Sequence, residues 1–146
     1  MSKENVEVVR RIVDAHQRGD FASVFAAYDP AIEWHTGSVG AQWSGDSRAA
    51  QWSDFEPVYH GHEGVRTFWR TWFAAWETVD FQYEEFIDAG DQVLCILSQR
   101  MRGRTSGVEL EWSSYAQVWT IREGKVIRVE FFANREEALE AAGLSE

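Results

Sequence analysis

The sequence predicts an α+β fold: a cone-shaped α+β barrel in which three N-terminal helices pack on a curved, mostly antiparallel sheet, followed by a short C-terminal helix. Two observations predict it. Apolar residues with helical spacing dominate the first half of the chain and end in a wide aromatic stripe over residues 63–77. After that stripe, segments with two-residue alternation follow one another, separated by short glycine-containing turns. A curved sheet closed by helices leaves a hollow, so we expect an interior pocket.

Two helices open the chain. Ser2 can cap a first helix that runs to about Arg18, because its apolar residues recur every three or four positions. Gly19 suits the left-handed turn that ends a helix. Asp20 can cap a short second helix over 21–28.

A proline, a strand and a long polar segment come next. Asp29-Pro30 ends the second helix, since proline disfavours helical backbone in the residue before it. Residues 32–35 alternate like a short first strand. The segment 36–58 is rich in Gly, Ser and Asp, and a connection of this length is typical of a lid, a binding loop or a mobile segment. The third helix is predicted over 63–77, and its apolar stripe must pack against a sheet. That stripe consists of Val65, Phe68, Trp69, Trp72, Phe73 and Trp76.

The remainder is predicted as a meander of four antiparallel strands and a terminal helix. Two-residue alternation indicates a strand at 79–84, and turn signals bound three further strands at 93–104, 108–121 and 125–134. The turns between them contain Gly90, Gly107 and Gly124. Residues 135–142 form the last helix, which Gly143 stops.

Composition narrows the classes of function. A chain of 146 residues with 45% hydrophobic residues fits one domain, 1–146, with a real core. The net charge of −10 argues against nucleic acid and anionic membrane surfaces as partners. We expect no secretory signal and no membrane span. A single cysteine, Cys95, cannot form an internal disulfide, so a cytoplasmic location is expected.

The order of elements, with the residues at its joints, resembles the SnoaL-like branch of the nuclear-transport-factor-two-like superfamily. The matching residues cover nearly the whole chain apart from the 36–58 segment. They are Gly19-Asp20, Asp29-Pro30, Glu33-Trp34-His35, residues 59–66, residues 88–91, residues 123–126 and residues 135–139. The resemblance implies the cone with its pocket, and a homodimer formed through the open face of the sheet. It does not select a reaction, because the superfamily includes cyclases, isomerases, dehydratases, epoxide hydrolases and pure binding modules.

The resemblance also locates candidate catalytic groups. Steroid isomerases of this fold use a base, a tyrosine and a protonated acid. Two of these three groups are missing here, since Ile12 and Ala116 occupy the positions of the tyrosine and the acid. The position of the base falls near His35. Asn134 stands where an epoxide hydrolase of this fold has an aspartate, which disfavours that reaction. A SnoaL-like cyclase would need a carboxylate, for which Glu130 on the last strand is the nearest candidate. His35 is therefore the expected base or acid, and its alternative is a hydrogen-bonded histidine at the pocket rim.

Aromatic residues and one further histidine are the candidates for contact with a ligand. Eight tryptophans are many for this length, and such rings fill a core, line a pocket or form a dimer face. His16 is interpreted either as a core histidine or as a residue that reaches the cavity. The predicted ligand-binding residues are His16, Trp34, Trp43, Trp52, Tyr59, Trp112, Tyr115 and Trp119.

A metal site is set aside, and three functions stay open. His60, His62 and Glu63 are acceptable metal ligands, but the opening turn of a helix explains Gly61 and Glu63 without a metal, and the sequence has no second compact cluster of ligands. No metal and no cofactor are expected. The first function is a cofactor-independent cyclase, isomerase or dehydratase acting on a small, largely apolar, oxygenated substrate. The second is a non-catalytic domain that binds a small apolar or aromatic molecule. The third is a dimeric interaction module whose cavity is filled by its own tryptophans.

Overall fold

The computed structural model describes residues 2–36 and 56–144, and these form four helices around one sheet. The helices are α1 (Ser2–Gln17), α2 (Phe21–Ala26), α3 (Gly61–Ala75) and α4 (Arg135–Ala141). The strands are β1 (Tyr28–His35), β2 (Val58–His60), β3 (Trp76–Ala89), β4 (Gln92–Gly103), β5 (Glu109–Arg122) and β6 (Lys125–Phe132). The predicted α+β class is confirmed.

The six strands pair in the order β2-β1-β6-β5-β4-β3. Strands β3 to β6 form the predicted antiparallel meander, and β1 joins it by pairing with β6 in parallel. The short strand β2, which the sequence did not predict, pairs antiparallel with β1 at the edge. A single parallel pair in an otherwise antiparallel sheet brings the end of β1 beside the end of β6.

The strands carry irregularities that the alternation pattern did not predict. The strand β1 begins at Tyr28 and includes Pro30, whereas the sequence indicated a start at residue 32. The β1–β6 pairing shifts between Tyr28 and Glu33, so the proline falls within the irregular part, where its missing N–H is tolerated. Trp76, expected at the end of the third helix, is instead the first residue of β3.

The sheet has two different faces. Its inner face packs against α1 and α3 and forms the main core, which includes Val9, Val65, Cys95, Trp119 and Val129. Its outer face carries a smaller cluster of Leu94, Ile96, Ala116 and Val118, which α4 covers with Ala138 and Leu139. Burial on both faces explains why five consecutive residues of β4, from Val93 to Leu97, are apolar and buried.

Within the described residues, no helix is both long and apolar enough to cross a bilayer.

Candidate functional site

An aromatic wall covers the inner face of the sheet. Trp34 on β1 is 1% exposed, and its ring centroid lies 5.5 Å from that of Phe68 on α3 and 5.6 Å from that of Phe131 on β6. Trp119, predicted as a ligand contact, lies 6.5 Å from Trp34 in an edge-on arrangement. Much of the predicted aromatic set is therefore core, and its rings pack closely against one another.

A bulge in β5 brings two further predicted residues together on this face. The β4–β5 pairing shifts its register between Leu97 and Gln99, so that Gln99 pairs with Trp112. Across the bulge, Ser114 has a φ of +53°, which is uncommon for a residue other than glycine. Its backbone N–H donates to the Ser98 hydroxyl over 3.0 Å. Bulges of this kind redirect side chains.

The extra residue places Trp112 and Tyr115 on the same face although they are three positions apart. Their rings stack with centroids 3.5 Å apart and planes 4° apart. Tyr115 is also nearly parallel to Phe131, with 6.3 Å between the ring centroids. The tyrosine ring is therefore held between aromatic neighbours, and its hydroxyl has a defined position.

A buried amide adjoins that hydroxyl. Gln99 is 3% exposed and its Nε2 donates a short hydrogen bond to the hydroxyl oxygen of Tyr115. Its Oε1 is buried and has no hydrogen-bond partner among the described residues. Burial raises the pKa of Tyr115, so the hydroxyl stays protonated and can donate. No described residue accepts from it. The pair thus holds an unused donor and an unused acceptor inside an aromatic wall.

The neighbouring polar group on this face is already satisfied. Gln117 is 4% exposed, and its Oε1 accepts from the indole Nε1 of Trp119 over 3.0 Å. The indole Nε1 of Trp34, in contrast, is buried without a hydrogen-bond partner among the described residues. Gln99, Tyr115 and Trp34 thus each carry a polar group on this face without a hydrogen-bond partner for it among the described residues.

The two predicted catalytic residues are brought together, but on the outer face. His35 and Glu130 are partners in the parallel β1–β6 pairing, as are Glu33 and Arg128. Because side chains alternate along a strand, both face away from Trp34 and Val129. His35, expected as a base or acid, therefore lies on the same face as Glu130 and not on the face of the aromatic wall. Its role in catalysis stays a prediction.

This outer-face group consists of a histidine–carboxylate contact and a neighbouring arginine–carboxylate ion pair. His35 Nε2 lies 2.8 Å from Glu33 Oε1, and Arg128 Nη2 lies 3.0 Å from Glu130 Oε1. The hydrogen bond from His35 is the largest cause that lowers the pKa of the Glu33 carboxyl. The His35 side chain is 18% exposed and that of Glu130 is 32% exposed. The geometry fits a histidine whose ring is oriented by a carboxylate.

His16 lies in an aromatic cage at the side of the core. Its ring centroid is 4.9 Å from that of Trp69, 5.3 Å from that of Phe21 and 5.4 Å from that of Phe81. Burial lowers its pKa to about 4, so the imidazole is neutral near pH 7. Its Nε2 has no hydrogen-bond partner among the described residues.

The other predicted residues have separate placements. Tyr59 is buried, and its hydroxyl accepts from the backbone N–H of Glu56 over 3.0 Å. Trp43 and Trp52 lie outside the described residues. Asn134 caps α4 by accepting from the backbone N–H of Glu137. In the part of the chain that the structure describes, no three His, Cys, Asp or Glu side chains group as metal ligands.

Sequence reasoning missed Gln99 and Gln117. The signal was present, because each lies two residues from a buried inward-facing residue of its strand: Gln99 from Leu97, and Gln117 from Tyr115. Polar residues at buried strand positions are uncommon and require a partner.

Comparison with known proteins supports the resemblance. Residues 9–129 match the SnoaL-like domain family. No protein of curated function matches the chain. An NTF2-like protein of unknown function from Burkholderia pseudomallei shares the fold with a TM-score of 0.73 and 21% identity, over 96% of this chain and 97% of that one.

Two other solved structures share the fold. TerC, co-crystallised with polyporic acid, superposes with a TM-score of 0.72 and 18% identity, over 95% of this chain and 97% of its own. A protein described as a candidate SnoaL-like polyketide cyclase from Mesorhizobium loti superposes with a TM-score of 0.63 and 18% identity, over 86% of this chain and 96% of its own. At these identities the similarity shows the fold alone.

Proposed function

Because the chain belongs to the SnoaL-like domain family, we propose that it binds a small, largely apolar, oxygenated molecule against the inner face of its sheet. The observation that carries this proposal is the buried Gln99–Tyr115 pair, which keeps unused hydrogen-bonding groups among stacked aromatic rings. Sites for small molecules are typically lined by apolar and aromatic side chains with a few fixed polar groups.

The physical reason is the cost of an unpaired polar group. A buried donor or acceptor without a partner costs about 1–3 kcal/mol. If the Gln99 amide has the orientation described, the Tyr115 hydroxyl is the unused donor. If the amide is rotated to accept from Tyr115, the amide N–H groups are unused instead. In both arrangements the pair offers a hydrogen to a ligand oxygen.

We expect Tyr115→Phe to weaken the binding of such a ligand without unfolding the protein, because only the hydroxyl is removed and the ring stack remains. Polyporic acid is the first probe, since a protein of the same fold was co-crystallised with it. Loss of one hydrogen bond predicts a dissociation constant raised about two- to tenfold. Titration calorimetry measures it, with the melting temperature as a check on folding.

The matched control is Tyr28→Phe, which removes a hydroxyl from another buried tyrosine of the inner face. Its binding constant should equal that of the unmodified chain. Equal weakening by both variants, or no change with Tyr115→Phe, would reject the assignment of the ligand to this pair. Absence of binding to polyporic acid and to a panel of aromatic ketones and quinones would reject the proposed function itself.

Catalysis is a second candidate, favoured by the 2.8 Å contact between His35 and Glu33. A carboxylate that orients an imidazole is the arrangement of a general base, and Glu130 lies beside it in the sheet. An isomerase, cyclase or dehydratase would then work at the outer face, apart from the Gln99–Tyr115 pair.

The homodimer expected from the resemblance stays a prediction.

If His35 is a base, the protein should accelerate exchange of the α-hydrogens of an apolar ketone such as tetralone in heavy water, followed by proton NMR. His35→Gln should then reduce the rate by about 10²–10⁴-fold. His60→Gln, at an exposed position on β2, is the control. An exchange rate equal to that of buffer, or unchanged in His35→Gln, would remove catalysis by His35.

A further inference from the structure

A groove separates α2 from α3 on the outside of the helical layer. It has a volume of about 860 Å³, within the range of small-molecule sites. Phe21 and Phe25 form the wall on α2, and Trp69 and Phe73 form the wall on α3. Each pair is four residues apart, so its two rings lie one above the other on the same helix face. Phe21 is 42% exposed, which is unusual for so large an apolar side chain.

Ring stacking and hydrogen bonding hold the side chains of the groove walls in fixed positions. Trp69 and Phe73 are stacked with ring centroids 5.3 Å apart and planes 23° apart. On the buried side, Trp69 contacts Trp34, with 5.8 Å between the centroids, so the core supports it. The His62 ring is fixed by a 2.9 Å contact between its Nε2 and the Tyr28 carbonyl oxygen. The walls therefore rest on groups that are already held in place.

The charge of the groove is opposite to that of the protein. The chain has a net charge of −10, yet the described lining residues include Arg66 and Arg70 and no Asp or Glu. The two arginines are four residues apart on α3 and share one side of the helix. The Arg66 guanidinium lies 4.6 Å from the centre of the Phe25 ring, at the boundary between the two walls.

The arginines are available to an anion. Arg66 pairs with Glu63 over 3.1 Å, but that carboxylate is 86% exposed, and exposed pairs of this kind contribute little. Arg70 has no hydrogen bond or ion pair with the residues that the structure describes. A guanidinium presents several donors in a plane that matches a carboxylate, phosphate or sulfonate.

We propose that this groove binds a small anionic amphiphile, whose aromatic or aliphatic body lies between the two pairs of rings and whose acidic group contacts Arg66 and Arg70. The site is separate from the inner face, so it does not depend on the proposed function. Its ligand differs from that of the inner face in requiring a negative charge.

The test compares two fluorescent probes that differ only in charge. Anilinonaphthalene sulfonate carries the anion, and phenylnaphthylamine has the same rings without it. The folded protein should bind the sulfonate more tightly, with quenching of tryptophan fluorescence because Trp69 lines the groove. The double variant Arg66→Gln/Arg70→Gln should weaken sulfonate binding about tenfold and leave the neutral probe within about twofold.

Three further variants complete the design. Arg11→Gln/Arg122→Gln removes the same charge away from the groove and should leave the preference for the sulfonate intact. Ala74→Trp, at an exposed lining position, should block both probes. Tyr115→Phe should affect neither, which separates this groove from the inner face.

Several results would overturn the proposal. The first is that the protein binds the two probes equally tightly. The second is that Arg66→Gln/Arg70→Gln weakens the binding of both probes equally. The third is that Arg11→Gln/Arg122→Gln weakens sulfonate binding as much as the groove variant does. Binding that survives Ala74→Trp, or that is lost in Tyr115→Phe, would place the probes elsewhere. Capture of acidic aromatic peptides without binding of the sulfonate would assign the groove to a protein partner instead.

Discussion

Replacing Trp34 by alanine is expected to lower the free energy of unfolding by about 3–5 kcal/mol, the range for large aromatic residues in a core. Trp34 is 1% exposed, and its ring contacts β6, β5 and α3 through Phe131, Trp119 and Phe68. Alanine would leave a cavity where the sheet meets the third helix. Urea unfolding followed by far-UV circular dichroism measures the loss.

Trp34→Phe is the matched control for this prediction. Phenylalanine keeps most of the aromatic volume and removes the indole Nε1, which is buried without a hydrogen-bond partner among the described residues. Removing an unpaired polar group avoids its desolvation cost, and this gain offsets part of the lost volume. The expected change is below about 1.5 kcal/mol. A similar loss for both variants would contradict this account, because Trp34→Phe keeps most of the aromatic volume and removes no described hydrogen bond.

The fold class could be predicted because both periodicities in this sequence are strong. The stripe of α3 and the apolar pattern of β6 reflect real burial, since Phe68 and Trp72 point to the sheet, and Val126, Val129 and Phe131 point to the helices. The last strand was placed at 125–134 and observed at Lys125–Phe132. Burial on one face of an element leaves a pattern that a single sequence displays.

The features that the sequence did not predict correctly depend on contacts between segments that are distant in the chain. The strand β2 has three residues, too few for alternation to be recognised, and it exists because it pairs with β1. Pro30 indicated a boundary, but the irregular β1–β6 pairing accommodates it within a strand. Trp76 continues the helical stripe of α3 in sequence, yet it pairs with Gly103 as the start of β3. Tertiary pairing decided each of these positions.

In the candidate site, too, some features could be predicted from the sequence and others depend on the pairing of strands. Tyr115 and Trp112 were predicted as ligand contacts from their type and location, and the structure stacks them. The bulge at Ser114 that aligns them has no signature in the residues Ser113-Ser114, because neither is a glycine. His35 was chosen because the resemblance places a base near the end of the first strand, and the residues alone did not show which face its side chain occupies. The pairing of His35 with Glu130 places it on the face opposite Trp34. That placement depends on the partner strand, which a single sequence does not reveal.

Acidification is expected to destabilise the fold through His16 by about 2 kcal/mol between about pH 7 and pH 5, and by about 3 kcal/mol at about pH 4. Burial among Phe21, Trp69 and Phe81 lowers the pKa of His16 from 6.5 to about 4. Between these two values the unfolded chain binds a proton that the folded chain does not. Stability therefore rises with pH across this window, and the penalty is complete below about pH 4.

His16→Phe isolates this contribution, because the substitution keeps a ring within the aromatic cage and removes the titrating group. Carboxylates such as Asp20, whose pKa the hydrogen bonds from Ser23 lower, also destabilise the fold in acid, but they are common to both proteins. The difference in unfolding free energy between the two chains, measured in urea at each pH, should thus shift in favour of the variant by the amounts above. A difference that is constant from about pH 7 to pH 4 would mean that the imidazole takes up its proton equally well in the folded state. The cage would then have to open to water at ordinary temperatures, and the rings around His16 would not form the rigid backing that the groove between α2 and α3 requires.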